Sequence, residues 1–317
     1  MGFVNTGSFD TRGVLKAERI DYWEACCSAD LIGLKCSTTE EEGFQARFDY
    51  YDFGSFTVYD ISGQPHVICR SAETVRKYDK DSVFLTILME GEAFVNRRHN
   101  FDMLKAGDLM LYDTNTPYMH GFPRLARQVV FDVPGSEFRS RFPGWDLRDA
   151  VHIDGSTNSG TAIARSVRNT YSNVRARKYL AREPELVNDI WSALEMSHDL
   201  VFGGKDLTSY HLGILQRVRG FVRAHIGDPA LNTEQVAQEI GMSSRQLNRI
   251  LAAHGMTVKK LIVSERLNRA REIISYDRRG RTSLSELAYS CGFSGPSQFS
   301  KSFRRHFGYA PSEMRDQ

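Results

Sequence analysis

A short stretch of this chain occurs twice near its C-terminal end. The segment "NTEQVAQEIGMSSRQLNRIL" (232–251) aligns with "SLSELAYSCGFSGPSQFSKSF" (283–303), at an offset of 51 positions before the central turn and 52 after it. An internal repeat constrains the fold more than composition does, because both copies must form the same supersecondary unit. Apolar residues three or four positions apart predict that each copy is a pair of short helices.

Both copies carry the sequence signals of a helix-turn-helix unit. Each opens with a residue that caps a helix and a Gln or Glu three positions later. A small Ala, where a second helix can cross closely, and a Gly at the turn follow. These residues are Asn232, Gln235, Ala237 and Gly241 in the first copy and Ser283, Glu286, Ala288 and Gly292 in the second. Ser243 with Gln246, and Pro296, predict where the two second helices begin.

The second helix of each copy is expected to have an apolar side and a polar side. The residues predicted to face inward are Leu247, Ile250, Leu251, Phe299 and Phe303. Outward Arg and Lys side chains can bind guanine or phosphate, and Asn or Gln can bind adenine. The predicted DNA-binding residues are Arg245, Asn248, Arg249, Ser297, Gln298, Lys301, Arg304 and Arg305. Basic residues at the equivalent positions 249 and 301 favour this role over that of a merely solvated surface.

The segment "TVKKLIVSERLNRAREIIS" (257–275) between the copies is long enough for one continuous helix. Ile262, Leu267, Ala270 and Ile274 give it an apolar stripe. Such a helix would hold the two DNA-reading helices apart, and about 34 Å would separate them if both enter one face of the duplex.

Charge is unevenly distributed along the 317 residues. From Leu207 to the C-terminus there are 17 Lys and Arg and 9 Asp and Glu, a net charge of +8. Residues 1–206 carry 24 and 30, a net charge of −6. A basic C-terminal third is expected of a domain that binds a polyanion.

The region from about 45 to 134 is predicted to form short strands. Aromatic and β-branched segments alternate with Gly, Pro, Asn and Asp signals. The segments are "SFTVYDI" (55–61), "SVFLTILM" (82–89), "DLMLYD" (108–113) and "RQVVFDV" (127–133). Such spacing predicts a small β-sandwich or barrel, with a covering helix over 14–27.

The pattern becomes helical after Pro134. Segments 161–174 and 184–201 have apolar residues every three or four positions, and "FGGKD" (202–206) is a plausible linker. Val187, Ile190, Leu194 and Val201 share one stripe of the second segment. That stripe is expected either to pack on the strands or to contact a second copy of the chain.

The C-terminal hundred or so residues resemble the AraC/XylS family of bacterial transcription regulators. The resemblance is densest in "LAYSCGFSGPSQFSKSFRRHFGYAPSEMR", with its Gly-Phe-Ser, Phe-Ser-basic-x-Phe, Phe-Gly and Pro-Ser elements. "GMSSRQLNRIL" in the first copy and "ERLNRAREII" in the segment after it match as well. Met314, where an aromatic is usual, and Lys301, where Arg is common, are mild departures. A weaker resemblance of "LKAGDLMLYDTNTPY" (104–118) implies a cupin-like regulatory domain of the same family.

The resemblance implies an α+β fold. A cupin-like barrel or sandwich with flanking helices (1–205, its helical part about 159–203) would bind an effector and dimerise. An all-α DNA-binding domain (206–317) would follow, with helix-turn-helix units at about 232–253 and 283–305. The implied function is an effector-responsive activator of a catabolic, aromatic-compound operon, with promoter DNA, RNA polymerase, a small molecule and a second copy as partners. The alternative is an effector-independent repressor or architectural DNA-binding protein.

Eight residues on or near the strands are predicted to line an effector pocket, although an aromatic residue inside a barrel is more often plain core. They are Tyr59, Arg70, Phe84, Thr86, Phe94, Tyr112, Tyr118 and His120. Aromatic rings with one cation suit an aromatic or carboxylate-bearing metabolite.

Enzyme chemistry is not predicted. His66, His99 and His120 lack the H-x-H spacing of a cupin metal site, so neither a metal nor another cofactor is expected. The five cysteines do not form the zinc-binding set of an alkyl-transfer repair enzyme, and Cys26, Cys27, Cys36 and Cys69 are expected to be buried. Unpaired cysteines, no apolar run of about 18 residues and no secretion signal predict a cytoplasmic protein.

Overall fold

The computed structural model describes residues 5–97, 100–176, 183–202, 209–252, 256–277 and 282–315. The chain divides into two compact units, Met1–Ser197 and His198–Gln317. Most of the predicted linker, residues 203–206, lies outside the described residues, as does His99.

The first unit contains the strands and the first five helices. Its strands are β1 (Asn5–Asp10), β2 (Lys35–Ser37), β3 (Ala46–Asp52), β4 (Thr57–Gly63), β5 (His66–Arg70), β6 (Ser82–Glu90), β7 (Glu92–Arg97), β8 (Asn100–Lys105), β9 (Leu109–Asp113), β10 (Tyr118–Phe122), β11 (Ala126–Pro134) and β12 (Val151–Ile153). Its helices are α1 (Arg19–Asp30), α2 (Ala72–Lys77), α3 (Gly135–Arg141), α4 (Asn158–Arg175) and α5 (Glu183–Phe202), which runs on into the second unit. The four predicted strands are β4, β6, β9 and β11.

The strands form two antiparallel sheets. The large sheet has the order β1-β3-β4-β11-β6-β9-β12, and the small sheet has the order β2-β5-β10-β7-β8. One apolar core takes residues from both, for example Phe48 and Tyr59 from the large sheet and Val95 and Phe122 from the small sheet. The described strands therefore form a sandwich, one of the two predicted architectures.

Helices cover the parts of the large sheet that do not face this core. Tyr171 of α4 donates a hydrogen bond to Asp60 of β4, and Arg127 of β11 donates to the same carboxylate at 2.8 Å. Trp191 of α5 packs edge-on against Phe56, with ring centroids 5.6 Å apart. Because both faces of β6 are covered, all residues from Ser82 to Leu88 are buried.

Three expectations for this unit need correction. The covering helix α1 begins at Arg19 rather than near residue 14, because Lys16–Glu18 forms a 3-10 turn. Val187, Ile190 and Leu194 are buried in the unit, as the packing interpretation requires, but Val201 is 42% exposed. Cys69 lies on the outer side of β5 and is only half-buried, unlike Cys26, Cys27 and Cys36.

The second unit is helical throughout its described part. Its remaining helices are α6 (Ser209–Ala224), α7 (Thr233–Ile240), α8 (Ser244–Ala252), α9 (Val258–Tyr276), α10 (Leu284–Ser290), α11 (Pro296–Phe307) and α12 (Pro311–Arg315). One apolar core joins α6, α7, α8 and the first half of α9; another joins the second half of α9 to α10 and α11.

The predicted continuous helix between the repeats is α9, and its apolar stripe is buried. Ile262 belongs to the first core of this unit, whereas Leu267, Ala270 and Ile274 belong to the second. A single helix therefore supplies part of the core of both helix-turn-helix units.

Candidate nucleic-acid interface and buried polar cluster

The first helix-turn-helix unit is α7 and α8, and both predicted caps are present. Asn232 Oδ1 accepts from the Gln235 backbone N–H at 3.1 Å, and Gln235 Oε1 accepts from the Asn232 N–H at 3.0 Å. Gly241 ends α7 with φ of 77°, a left-handed conformation that favours glycine. The cap and the turn of this unit are thus formed by Asn232, Gln235 and Gly241, the residues predicted from the internal repeat.

The second unit, α10 and α11, repeats this construction. Ser283 and Glu286 form the reciprocal capping box of α10, and Gly292 has φ of 75°. A Cβ atom on Gly292 would also lie 2.4 Å from the carbonyl oxygen of Ile226 and 2.8 Å from Arg266 Nε. Glycine is therefore required at position 292 for two reasons: the turn needs a positive φ, and Ile226 and Arg266 leave no room for a Cβ atom.

Helix α8 has the predicted inward and outward sides. Leu247 and Leu251 are fully buried, whereas Arg245 and Arg249 are exposed. Asn248 is half-buried, and its Oδ1 accepts from the Val258 N–H at 3.5 Å. Asn248 therefore helps to hold the start of α9, a role that the spacing alone did not indicate.

Helix α11 presents the longer polar face. Pro296 occupies its first turn, and Phe299 and Phe303 are fully buried. The five predicted DNA-binding residues of this helix are exposed: Ser297, Gln298, Lys301, Arg304 and Arg305. Gln298 Oε1 accepts from Ser294 Oγ at 2.5 Å, and an exposed contact of 3.6 Å joins Arg304 to Glu313.

Four cations on these two helices keep their charge available. Within the described ranges, no ion pair forms at Arg245, Arg249, Lys301 or Arg305, while acidic partners do occupy buried cations nearby, such as Arg223 and Arg219. Free exposed guanidinium and ammonium groups on one helix face are suited to phosphates and guanine edges.

Polar contacts hold α9 in place between the two helix-turn-helix units. Arg266 donates from Nε to the carbonyl of Ile226 at 3.2 Å and from Nη2 to that of Asp228 at 2.5 Å. Helix α9 contacts α6, α7, α8, α10, α11 and α12. The orientation of both recognition helices is therefore set by one element.

In the first unit, three of the eight predicted effector residues form one aromatic cluster. The His120 ring is stacked on Tyr118 with centroids 4.4 Å apart, and both contact Tyr112 edge-on at 5.1 and 5.4 Å. All three side chains are about 4% exposed. Burial, and then the charge of Arg97, lower the pKa of His120 well below its ordinary value, so this imidazole is neutral.

The cation of this cluster is Arg97, which the sequence interpretation missed. Its guanidinium carbon lies 4.6 Å from the Tyr112 ring centroid and 5.2 Å from that of Tyr118. Arg97 is 2% exposed, and its Nη2 donates to the Asp113 carbonyl at 3.4 Å. Burial lowers its pKa.

Strand alternation is the signal that would have found Arg97. Ala93, Val95 and Arg97 share the inward side of β7, whereas Phe94 and Asn96 point outward. The segment "NRRHN" (96–100) has the composition of a turn, which hid the last inward position of the strand.

Three more predicted residues are buried beside or near the cluster. Phe84 packs edge-on against Tyr112 at 5.7 Å, and Thr86 Oγ1 is buried without a hydrogen-bond partner in the described chain. The Tyr59 hydroxyl donates to the Asp30 carbonyl at 2.5 Å, so this side chain fastens α1 to the large sheet.

Two predicted pocket residues have other environments than expected. In the β5–β10 register Arg70 is opposite Tyr118. Arg70 is fully buried, but it donates to the carbonyls of Thr114, Gly33 and Tyr78, at 3.0, 2.6 and 2.8 Å. These contacts make it a structural cation. Phe94 lies on the outer face of the small sheet, because its neighbours Ala93 and Val95 take the inward positions. There it stacks on exposed Phe101 at 5.8 Å.

Among the described residues, no three or more His, Cys, Asp or Glu side chains are placed together to hold a metal ion. His66 stacks on Phe122 at 4.7 Å, and its Nδ1 lies 2.7 Å from the Gln64 carbonyl. Over the same residues, no helix combines the length and the apolar character that a membrane crossing needs.

Comparison with known proteins places both units in one family. A family model described as an AraC-binding-like domain matches residues 23–197, and one described as a helix-turn-helix domain matches residues 236–317. The transcriptional activator NphR of Rhodococcus sp. is 24% identical over 278 residues, which cover 86% of this chain and 81% of NphR. The regulator ArgR of Pseudomonas aeruginosa is 37% identical over 112 residues, 35% of this chain and 32% of ArgR.

The solved structure of the AraC-like transcriptional activator CuxR has the same fold. It superimposes with a TM-score of 0.53 at 15% identity and covers 86% of this chain and 96% of CuxR. The AraC-binding-like model spans more than half of the chain, and the helix-turn-helix model covers the C-terminal part. The protein therefore belongs to the AraC family and is a DNA-binding transcriptional regulator.

Proposed function

We propose that this regulator is an effector-responsive activator that reads promoter DNA with α8 and α11. The observation that carries the proposal is the pair of exposed polar faces on two helices joined by one central helix, α9. Residues 206–317 would form the DNA-binding domain and residues 1–205 the regulatory domain.

The exposed cations have distinct expected roles on DNA. Arg249 and Lys301 occupy equivalent positions of the two repeats, so we assign them equivalent contacts in two successive major-groove segments. Arg245, Arg304 and Arg305 would contact phosphates or bases together with Ser297 and Gln298. Asn248 is the exception, because its hydrogen bond to α9 leaves only part of its side chain for DNA.

Activation requires a second macromolecular partner, for which we propose RNA polymerase. The name of NphR, an activator that aligns with 86% of this chain, supports activation over repression. We assign the protein to the bacterial cytoplasm, where promoter DNA is found, and assign it no catalytic activity. The controlled operon would be catabolic and concerned with aromatic compounds, since aromatic rings line the buried cluster.

A homodimer is the proposed assembly. Phe101, Met103 and Met119 are 62%, 51% and 38% exposed on the outer face of the small sheet. The strand register places Phe101 and Met119 on the two sides of Asn96, so these apolar side chains belong to one face of the small sheet. Contiguous exposed apolar groups mark association sites. Sedimentation velocity should give a dimer for the full chain and a monomer for Phe101→Glu.

Selection of operator sequences from random duplex DNA by the full chain tests the proposal. The expected operator has two half-segments about one helical turn apart. Transcription from a promoter carrying that operator should rise when an effector is added. An effector-independent repressor or architectural protein would instead lower transcription, or bend DNA, whichever small molecule is present. Binding without sequence preference would contradict the proposal.

A further inference from the structure

A polar cluster lies between the two sheets of the first unit. Thr86 of β6 and Tyr112 of β9 come from the large sheet, and Tyr118 and His120 of β10 and Arg97 of β7 come from the small sheet. In the β7–β10 register His120 is opposite Val95 and Met119 is opposite Asn96, which brings Arg97 level with Tyr118. The cluster therefore lies between the two sheets near the ends of β7, β9 and β10, where an ordinary core would be apolar.

Several polar atoms of this cluster are buried without a hydrogen-bond partner among the described residues. They are Arg97 Nε and Nη1, His120 Nε2 and Thr86 Oγ1. Buried polar groups in native proteins are almost always paired, so four such atoms in one cluster need an explanation. A bound polar molecule would pair them.

The cluster carries a positive charge, that of Arg97, and among the described residues it contains no carboxylate to balance that charge. Arg97 is buried, yet no carboxylate of the described chain lies within ion-pairing distance of it. Asp113 accepts from it through its backbone carbonyl, and the carboxylates of Asp113 and Asp149 act on its charge only from a greater distance. Arg70, the other buried cation of this sheet, has carbonyl partners for its donors. His120 is neutral, and Tyr112 and Tyr118 keep their protons because burial raises the pKa of both. The missing partner of Arg97 is therefore an anion.

The rings around Arg97 restrict how that anion can approach. Tyr112 and Tyr118 lie to one side of the guanidinium, since their ring centroids are 4.6 and 5.2 Å from its carbon and 5.4 Å from each other. Arg97 Nε and Nη1 have no partner among the described residues, and carboxylates accept charge-assisted hydrogen bonds from such donors. The same rings, with Phe84, offer apolar and aromatic surface to the rest of such a molecule.

We propose that Arg97 is the anchor of the effector site and that the effector is a small organic acid. Its carboxylate accepts a charge-assisted hydrogen bond from one of the two unpaired donors of Arg97, Nε or Nη1, which point to opposite edges of the guanidinium, and its apolar part lies against Tyr112 and Tyr118. His120 Nε2 and Thr86 Oγ1 bind a further polar group of the same molecule. The assignment rests on the proposed effector-responsive function, and it names the ligand class and the residue that selects it.

Calorimetric titration of the full chain tests the ligand class. The probes are acetate, benzoate and phenylacetate, each paired with its neutral amide: acetamide, benzamide and phenylacetamide. At least one acid should bind at millimolar concentration or below, at least ten-fold more tightly than its amide. If no acid in the panel binds, or if an amide binds as well as its acid, the proposal is wrong.

Substitutions test the residue. Arg97→Met should abolish acid binding, and Arg97→Lys, which keeps the charge but carries all its donors on one nitrogen, should weaken it at least ten-fold. Thr86→Val keeps the shape of the side chain and should weaken binding several-fold without lowering the melting temperature of the ligand-free protein. Arg124→Met, at an exposed position of the same unit, is the matched control and should bind acids normally.

Two further outcomes separate this proposal from the function on which it rests. If Arg97→Met still binds the acid, the proposed site is wrong, whether or not the acid changes DNA affinity. If Arg97→Met does not fold, acid binding of wild-type strength in both Arg97→Lys and Thr86→Val overturns it equally. Acid binding that requires Arg97 but changes neither DNA affinity nor transcription supports the site and contradicts the effector-responsive function.

Discussion

The guanidinium of Arg223 in α6 donates two hydrogen bonds to the carboxylate of Glu265 in α9, at 2.7 and 3.1 Å. Both side chains are largely buried, with 16% and 6% exposure. The pair joins the helix that opens the DNA-binding region to the helix that carries both recognition helices. It therefore contributes to the geometry with which α8 and α11 would meet DNA in the proposed function.

Removing one partner of this pair should be strongly destabilising. Glu265→Ala removes the largely buried carboxylate that joins α9 to Arg223, and we expect the free energy of unfolding to fall by about 3 kcal/mol. Urea unfolding of the full chain followed by circular dichroism measures the change. Glu239→Ala, at an exposed position of α7, should cost less than about 0.5 kcal/mol. Equal losses in the two variants would show that the buried pair has no special role.

The two turn glycines should respond differently to the same substitution. Gly241→Ala introduces only backbone strain, since nothing lies within 4 Å of the added Cβ, and should cost about 1–2 kcal/mol. Gly292→Ala adds a clash with the Ile226 carbonyl at 2.4 Å and should cost clearly more. Thermal unfolding of the two variants provides the comparison. A smaller effect at Gly292 would contradict this account of the second turn.

The equivalent cations of the two repeats should matter separately to DNA binding. Arg249→Ala or Lys301→Ala should weaken binding to the selected operator by about 1–3 kcal/mol if the side chain contacts a base, with relaxed preference at one position. A phosphate contact would instead weaken all sequences evenly and lower the salt dependence by about one ion.

Fluorescence anisotropy at several salt concentrations distinguishes the two kinds of contact. Arg124→Ala, an exposed substitution in the first unit, is the control for loss of one positive charge. Unchanged affinity in both Arg249→Ala and Lys301→Ala at moderate salt would mean that the assigned recognition faces are wrong.

The bond between α4 and the large sheet should make stability depend on pH. Burial alone would raise the pKa of Asp60, but hydrogen bonds from Arg127 and Tyr171 outweigh it and hold that pKa below its ordinary value. A lowered folded-state pKa adds stability above the ordinary Asp value of about 4, and this contribution disappears as the pH falls below it.

Asp60→Asn should therefore cost about 2 kcal/mol at pH 7 and progressively less at pH 4 and pH 3. Urea unfolding at these pH values measures the difference from wild type. Asp79→Asn, at an exposed position, should show little difference at any of them. A cost for Asp60→Asn that stays constant with pH would exclude the proposed charge-assisted contact.

Much of the DNA-binding region could be predicted because its signals are local. A capping residue and its partner are three positions apart, and a turn glycine acts through its own backbone, so Asn232, Ser283, Gly241 and Gly292 were identified correctly. The inward side of each recognition helix followed from helical spacing. Asn248 was only partly understood, because its hydrogen-bond partner, Val258, belongs to the next helix.

The buried cluster could be predicted only in part. Tyr112, Tyr118 and His120 were expected in the sandwich interior and are buried there. Arg70 does lie opposite Tyr118, but backbone carbonyls occupy its donors. Phe94 is on the outer face of the small sheet, and Arg97 was overlooked. A strand sequence tells which residues share a face, but which face turns inward is decided by the other strands.

The sequence by itself determined the two helix-turn-helix units, the helix between them and the family, since these depend on spacing within short segments. Only the tertiary structure decided that the hydrogen-bond donors of buried Arg70 all have partners, whereas those of buried Arg97 do not. Arg70 meets three carbonyls from distant parts of the chain, whereas Arg97 meets two aromatic rings and a single carbonyl. Hydrogen bonding between segments far apart in sequence, which no local pattern records, makes one cation structural and leaves the other to bind a ligand.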